Sequence, residues 1–198
     1  MKSILQNALL TGFMLVTFNQ TFAQSAKAEA EIQSIMQSSP VVGLSVAVVK
    51  NNKVIYNQSF GFKDVEKQLS LTKQSIFRIA SISKSFTTTA IMQLVAKQQI
   101  SLDQDLSELV GFKVRNPKFP NTVITLKMAL SHRSSINDSE GYFSLDAIDP
   151  AKNPNFAKCY NAYEPDKGYM YCNLNYNLAG SILEKVTGIR FDKYIQQQ

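Results

Sequence analysis

An apolar β-hairpin sets narrow limits on the fold of this chain. A nearly continuous apolar run rich in β-branched residues extends from Val41 to Val49, Asn51-Asn52 makes a turn, and a strand-like stretch resumes from Val54 to Phe60. An isolated two-stranded hairpin is marginally stable in water, and this one is apolar enough to need partners on its faces and edges. Because the sequence offers no further convincing strand, we expect the strands that complete the sheet to lie outside these 198 residues.

Helical patterns take up most of the remaining chain. The longest spans residues 81–98, which contain neither Gly nor Pro. Its apolar residues recur every four positions and are predicted to form one stripe: Ile82, Phe86, Ala90 and Leu94. Shorter helices are predicted over residues 26–37, 127–131 and 175–187, the last of which Gly188 ends, with mostly loop between residues 134 and 167. The predicted order of elements is therefore a helix, a hairpin and then a mostly helical region.

The start of the chain has the features of an export signal. Lys2 supplies a positive charge, an apolar stretch follows from Leu9 to Phe18, and Thr21 and Ala23 are small residues at the positions that a signal peptidase reads. The stretch is shorter than the roughly 20 apolar residues that span a bilayer. The sequence therefore predicts cleavage after Ala23 or Gln24 and a periplasmic or secreted mature protein without a stable membrane span.

Composition narrows the classes of partner and cofactor. The net charge of +6 comes from 21 basic and 15 acidic side chains, and the basic residues are scattered singly. A nucleic-acid partner is therefore not expected, since such a surface needs clustered charge. The two cysteines, Cys159 and Cys172, can form a disulfide in an oxidising compartment or remain free thiols, and both alternatives stay open. His132 is the only histidine, so a zinc site is not expected.

The candidate nucleophile stands at the start of the longest predicted helix. The tetrad Ser81-Ile82-Ser83-Lys84 fits the pattern S-x-x-K, and residues i and i+3 share a helix face, so Lys84 can reach the Ser81 hydroxyl. A serine hydroxyl is a poor nucleophile until a neighbouring group takes its proton. The first turn also offers the positive end of the helix dipole and a backbone N–H that can stabilise an oxyanion. A second copy, Ser70-Leu71-Thr72-Lys73, has no apolar stripe behind it, and we interpret it as a chance match.

The second candidate element is Tyr171-Cys172-Asn173. In an extended segment Tyr171 and Asn173 point to one side and Cys172 to the other. A tyrosine hydroxyl near Lys84 can pass protons between the nucleophile and a leaving group, and Asn173 offers a donor and an acceptor to a substrate amide. Alternatively, Tyr171 belongs to an aromatic cluster with Tyr169 and Tyr176.

Together these elements resemble the serine β-lactamase and penicillin-binding protein superfamily, in particular its class C and D,D-peptidase-like branch. Four segments carry the resemblance: Phe77 to Phe86 around the nucleophile, Ala129 to Ser135 as an L-x-H-x-S-G element, Glu164 to Asn173 around the tyrosine, and Asn175 to Gly188. The hairpin also lies where the family has its first two strands, and S-x-x-K is a signature of these enzymes. The resemblance runs from about Ala30 to the last residue.

Three features depart from the family pattern. Ser135 stands where the family usually has Gly, which can alter a turn, and Cys172 stands where a small side chain such as Ser or Ala is usual. The third family box, Lys-Thr-Gly or His-x-Gly on a strand beside the nucleophile, is absent from the sequence. Lys185-Val186-Thr187-Gly188 is not that box, because it closes a helix. The resemblance implies that the box supplies one oxyanion N–H and several substrate contacts.

Three other elements of the sequence offer alternatives to this interpretation. Ser135-Ile136-Asn137 is a minor alternative as the S-x-N element of other branches of the superfamily. Ser45 lies in a Gly-x-Ser-x-Ala stretch, but a nucleophile elbow needs a sharp turn where this strand continues. A Ser-His-Asp enzyme would have to use His132, which we expect instead to be a structural hydrogen-bonding residue.

The features of the first residues predict that residues 1–23 are a signal peptide. The resemblance implies an α+β, β-lactamase/transpeptidase-like fold that is incomplete in this chain, with residues 24–198 as the N-terminal portion of the hydrolase domain. Its implied chemistry is acyl transfer through an acyl-serine. Ser81 attacks, Lys84 and Tyr171 share the proton transfers with the base left open, and Asn173 orients a β-lactam, a D-amino-acid peptide or an ester. No metal or organic cofactor is required. A penicillin-binding sensor without turnover and an inactive truncated product are the alternatives, and the oligomeric state is left open.

Overall fold

The computed structural model describes residues 25–197, and these form two compact units that are treated separately: residues 25–78 and residues 79–197. The predicted export signal over residues 1–23 lies outside the described residues. Within residues 25–197, no helix is long and apolar enough to cross a membrane.

The first unit contains one helix and one small antiparallel sheet. Helix α1 spans residues 25–38. Three strands follow in the order β1-β2-β3: β1 over Gly43–Lys50, β2 over Lys53–Asp64 and β3 over Leu69–Ser70. The predicted hairpin is therefore confirmed, whereas the sequence analysis missed β3, because two residues are too few for strand periodicity to show.

The backbone conformation of the hairpin turn explains why two asparagines occupy it. Asn51 and Asn52 have φ angles of 51° and 57°. Two successive residues with positive φ make the turn whose twist matches that of the flanking strands, and asparagine tolerates this conformation well. On β2, Gly61 has a φ of 76°, and a Cβ atom there would lie 2.2 Å from the carbonyl oxygen of Val42. Glycine is thus required where β2 passes close to the start of β1.

The second unit is helical and begins with a single 3₁₀ turn over Ala80–Ile82 that leads into α2 over Ser83–Ala96. The other helices are α3 over Leu106–Val110, α4 over Leu126–Leu130, α5 over Leu174–Thr187 and α6 over Phe191–Gln197. Two further 3₁₀ turns, Leu145–Ile148 and Phe156–Cys159, interrupt the long segment between α4 and α5. The predicted helices over 127–131 and 175–187 are confirmed to within a residue at each end.

Helix α5 organises the core of this unit. It contacts α2, α3, α4 and α6. Its buried face includes Leu178 and Ile182, while Val186 is only partly buried. Gly188 ends the helix in the left-handed conformation with a φ of 67°, as a glycine after a helix commonly does.

The buried face of α2 differs from the predicted stripe. Ala90 and Leu94 are buried as predicted, but Ile82 and Phe86 are 65% and 52% exposed. Residues four apart on a helix are separated by 400° of rotation, so a strict repeat of four drifts around the surface. The face that packs against the core combines spacings of three and four: Thr87, Ala90, Ile91 and Leu94.

The cysteines are free thiols, which decides between the two alternatives left open by the sequence. Both are fully buried. The Cys159 thiol donates to the carbonyl oxygen of Ala147, and the Cys172 thiol donates to a carboxylate oxygen of Asp138 at 3.1 Å. Burial raises the pKa of Cys172 to about 12, so this thiol stays protonated at neutral pH.

Candidate active site

The first turn before α2 presents Ser81 to solvent. Ser81 is exposed and lies in the 3₁₀ turn Ala80–Ile82, two residues before the first residue of α2. Ala80, directly before it, has a φ of 44°, a left-handed conformation that is uncommon for a residue with a Cβ atom. Backbone strain of this kind costs about 1–3 kcal/mol and concentrates at functional sites. The chain thus holds the hydroxyl at a sharp corner, with the N–H groups of a helix start beside it.

Lys84 contacts Ser81 as the i, i+3 spacing predicts. Its Nζ lies 3.2 Å from Ser81 Oγ and donates a second hydrogen bond to Asn173 Oδ1 at 2.8 Å. The lysine side chain is half-buried, whereas the serine hydroxyl is exposed. The ammonium group is therefore held between the nucleophile and the residue at the start of α5.

Tyr171 completes a three-residue cluster around the nucleophile. Its hydroxyl donates to Ser81 Oγ at 2.6 Å, and Lys84 Nζ lies 4.8 Å from the centre of its ring. Hydrogen bonding to Lys84, and then to Ser81, lowers the pKa of Tyr171 below its ordinary value, with desolvation opposing the shift. The structure thus brings together the three catalytic residues proposed from the sequence, Ser81, Lys84 and Tyr171.

Asn173 has a more constrained position than the sequence suggested. Its Oδ1 accepts from Lys84, and its Nδ2 donates to Asp138 Oδ2 at 2.9 Å. An amide nitrogen carries two hydrogens, so one donor stays available to a ligand. Asn173 therefore connects the lysine to a residue that the sequence analysis did not single out.

That residue is Asp138, which follows the Ser135-Ile136-Asn137 stretch. Burial works to raise the pKa of its half-buried carboxyl, but hydrogen bonds from the backbone of Asn173 and Leu174 and from two side chains outweigh burial, and the pKa lies below its ordinary value. Asp138 is consequently ionised at neutral pH. Its position in a loop rich in Asn, Asp and Ser gave no local signal to distinguish it from its neighbours.

His132 is structural, in agreement with the expectation. Its Nδ1 accepts a hydrogen bond from the backbone N–H of Cys172 at 3.2 Å, and its ring lies 4.5 Å from that of Tyr171. The ring centres of two further tyrosines, Tyr169 and Tyr176, lie 6.0 and 5.3 Å from the centre of the His132 ring. Burial, and then the charge of Lys84, lower the pKa of His132. The neutral imidazole therefore supports both the backbone and the ring of the tyrosine, so the alternative aromatic cluster exists alongside the catalytic arrangement.

The other candidate serines lie in different surroundings. Ser135 is buried, has a φ of 66° where the family has Gly, and donates to the carbonyl oxygen of Tyr163 at 2.8 Å. Its neighbour Asn137 bonds to Asn161, so the S-x-N alternative forms part of a loop scaffold. In the first unit, the hydroxyl of Ser45 bonds to that of Ser59 at 2.8 Å. Ser70 lies on β3, so Lys73 does not follow it on a helix turn.

A cleft of about 580 Å³ opens beside the cluster within the second unit. Ser81, Lys84 and Asn173 line it together with Glu184 of α5. An aromatic pair, Tyr142 and Phe143, forms part of the wall, with ring centres 4.4 Å apart. The cleft is large enough for a small organic or peptide ligand.

A candidate nucleophile with a lysine one turn along and a tyrosine on its hydroxyl, set on an α+β fold, indicates the class of this protein. The chain belongs to the Beta-lactamase family, whose sequence profile matches residues 28–198.

Among characterised proteins, the chain is similar to Protein flp of Staphylococcus aureus strain N315, with 32% identity over 83% of this chain and 34% of the relative. Among solved structures, it is similar to the octameric penicillin-binding protein homologue from Pyrococcus abyssi. That match has 32% identity and a TM-score of 0.70 and covers 87% of this chain and 41% of the other.

A class C β-lactamase in complex with cefoxitin shares the fold, with a TM-score of 0.67 and 24% identity over 88% of this chain and 48% of the other. These matches confirm the expected superfamily and the β-lactamase/transpeptidase-like fold. The chain spans about a third of the length of the curated relatives it matches.

Proposed function

We propose that this chain carries the nucleophile of a secreted serine hydrolase that acts through an acyl-serine intermediate. The observation that carries the proposal is the double contact of Ser81 Oγ, which lies 3.2 Å from Lys84 Nζ and 2.6 Å from the Tyr171 hydroxyl. Two titratable groups within hydrogen-bond reach of one exposed hydroxyl are what activation of a serine requires.

The reaction proceeds in two balanced steps. In the first, Ser81 Oγ attacks a carbonyl carbon, its proton passes to the Lys84–Tyr171 pair, and that pair returns a proton to the leaving group as the acyl bond breaks. In the second, water attacks the acyl-serine, and the same pair takes the proton of the water and returns one to Ser81. Lys84 and Tyr171 both contact Ser81 Oγ, so each of them is positioned to act as the base.

The substrate is proposed to be a β-lactam, a D-amino-acid peptide or an ester. All three present an electrophilic carbonyl that forms an ester with serine. The free hydrogen on Asn173 Nδ2 provides a donor for a carbonyl oxygen on the acyl side of such a substrate. Similarity to a penicillin-binding protein homologue supports this group of substrates.

Labelling with a reactive probe tests the proposal. The full-length product of the gene is treated with a fluorescent penicillin or a fluorophosphonate, and the adduct is mapped by mass spectrometry. We expect the adduct on Ser81, no labelling of Ser81→Ala, and full labelling of the matched variants Ser70→Ala and Ser45→Ala. An adduct on another serine, or undiminished turnover by Ser81→Ala, contradicts the proposal, while stable labelling without turnover identifies a sensor.

Export of the protein is proposed on the features of its first residues alone. Expressed in a bacterium, the protein is expected in the periplasm with a new N-terminus near Gln24 or Ser25, because Ala23 ends the stretch that a signal peptidase reads. N-terminal sequencing of the periplasmic fraction measures this. Exported material that retains Met1 would show that no cleavable signal is present.

A further inference from the structure

The carboxylate of Asp138 accepts four hydrogen bonds from three consecutive residues beside the nucleophile. Its Oδ2 accepts from the backbone N–H and from the side-chain Nδ2 of Asn173, each at 2.9 Å. Its Oδ1 accepts from the backbone N–H of Leu174 at 3.0 Å and from the Cys172 thiol at 3.1 Å. An ionised carboxylate has about four lone-pair sites. The whole acceptor capacity of Asp138 is therefore directed at the segment that follows Tyr171.

These contacts replace a local cap at the start of α5. Asn173 occupies the N-cap position with helical dihedral angles, φ −72° and ψ −32°, and its side chain caps no N–H of its own helix. Instead, the carboxylate of Asp138 accepts hydrogen bonds from the backbone N–H groups of Asn173 and Leu174. Asp138 lies 35 and 36 residues before them in the chain. The first N–H groups of a helix otherwise lack partners, and a negative charge is stabilised there. The start of α5 is thereby fixed to the loop that follows α4.

The same contacts fix which way the Asn173 amide faces. Asp138 can only accept, so the amide nitrogen must point toward it, and the amide oxygen then points toward Lys84 Nζ at 2.8 Å. In the reversed orientation two donors would face each other at the lysine, because an ammonium group has no acceptor. A continuous path of hydrogen bonds thus runs from Asp138 through Asn173 and Lys84 to Ser81.

We propose that Asp138 is a positioning residue for the reaction at Ser81: its carboxylate orients the Asn173 amide and thereby holds Lys84 Nζ against the nucleophile. The proposal rests on the function proposed above for Ser81. Asp138 acts through Asn173, since within residues 25–197 the hydrogen bonds that its carboxylate accepts all come from residues 172–174.

Two matched aspartate variants test the proposal. In Asp138→Asn, the new amide cannot accept all four hydrogen bonds, so Asn173 can turn and Lys84 loses its acceptor. Asp105→Asn is the control, because the Asp105 carboxylate also accepts from a helix start, Ser107 N–H at 2.8 Å, and pairs with Arg115 in another part of the second unit. Urea unfolding measures stability, and the rate constant for acylation of Ser81 by the probe measures positioning.

We expect both variants to be less stable but only Asp138→Asn to acylate more slowly, by about ten- to a hundredfold, as small misplacements of catalytic groups do. Acylation by Asp138→Asn at the wild-type rate overturns the proposal. An equal loss in Asp105→Asn overturns it as well, because the effect would then follow stability alone.

A second measurement does not depend on turnover. Lys84 and His132 lie against the Tyr171 ring, and the ionisation of its phenol can be followed by NMR of ¹³C-labelled tyrosine, assigned with Tyr171→Phe. Hydrogen bonding to Lys84 is the largest cause that lowers the pKa of Tyr171, while the charge of Asp138 raises it slightly. Removal of that charge alone would lower the pKa of Tyr171, whereas displacement of Lys84 raises it.

We therefore expect the pKa of Tyr171 to rise in Asp138→Asn and to stay unchanged in Asp105→Asn. A fall, or no change, in Asp138→Asn overturns the positioning role. If no variant labels and the wild-type protein does not label either, the proposed function fails, and the Tyr171 titration still decides whether Asp138 holds Lys84 in place.

Discussion

Replacement of Lys84 with alanine is expected to slow acylation of Ser81 by about 10²–10⁴-fold, the range that general acid–base groups contribute. Lys84 Nζ donates to Ser81 Oγ and supplies the largest cause of the lowered pKa of Tyr171. Its loss removes one proton carrier and weakens the other. Tyr171→Phe is expected to lose less, because Lys84 keeps its contact with the serine. Both rate constants are measured with the reactive probe under excess-probe conditions.

Two control variants, Lys127→Ala and Lys84→Arg, show whether the loss of acylation is specific to the Lys84 amine. Lys127 is exposed on α4, so Lys127→Ala removes the same side chain and should leave acylation unchanged. Lys84→Arg retains the positive charge, but a guanidinium group does not give up its proton in the working range of pH. We expect the arginine variant to remain as slow as the alanine variant. Full restoration by arginine would show that Lys84 acts only through its charge, and a wild-type rate in Lys84→Ala would remove it from the mechanism.

Truncation of Ile182 to alanine is expected to lower the free energy of unfolding by about 2–5 kcal/mol. Ile182 is fully buried on α5, the helix that contacts α2, α3, α4 and α6, so the cavity would lie where these helices meet. Native domains are stable by only about 5–15 kcal/mol in total, so this loss is a large part of the whole. Urea unfolding monitored by circular dichroism gives the value.

Ile189 provides the matched control just beyond the end of α5. Its side chain is 36% exposed, so Ile189→Ala removes the same atoms from a site that water already reaches. We expect a loss of about 0.5 kcal/mol, in line with surface substitutions. Similar losses in the two variants would mean that α5 does not form the centre of the core.

The part of the site that follows from local geometry could be predicted from the sequence. Ser81 and Lys84 are three residues apart, and helix geometry alone places them together. The hairpin was equally accessible, because the apolar run rich in β-branched residues and the Asn51-Asn52 turn are both local signals. The approach of Tyr171 to Ser81 is different. These residues are 90 positions apart, and only the resemblance of their surroundings to a known family brought them together before the structure did.

Asp138 shows why the remainder could not be predicted. Its role depends on hydrogen bonds to residues more than thirty positions away, and nothing in its own segment marks it. Asp146, eight residues later in the same polar stretch, looks equivalent in sequence but pairs with Lys152 on the surface. The buried face of α2 was missed for a local reason, since a repeat of four residues approximates a helical period of 3.6 and drifts away from it.

The hydrogen bonds that hold the Tyr171 segment also couple folding to proton uptake. The pKa of His132 is lowered, chiefly by burial, so as pH falls through 6.5 the unfolded chain takes up a proton there before the folded chain does. The hydrogen bonds to Asp138 outweigh its burial and lower its pKa too. As the pH falls below 3.8, the unfolded chain therefore takes up a proton at Asp138 before the folded chain does. Both effects act in the same direction. The contribution of these two groups to the free energy of unfolding is retained at neutral pH and is lost in two stages as the pH falls. His132 and Asp138 accept hydrogen bonds from Cys172, Asn173 and Leu174, so protonation of either group weakens the contacts that hold the segment after Tyr171.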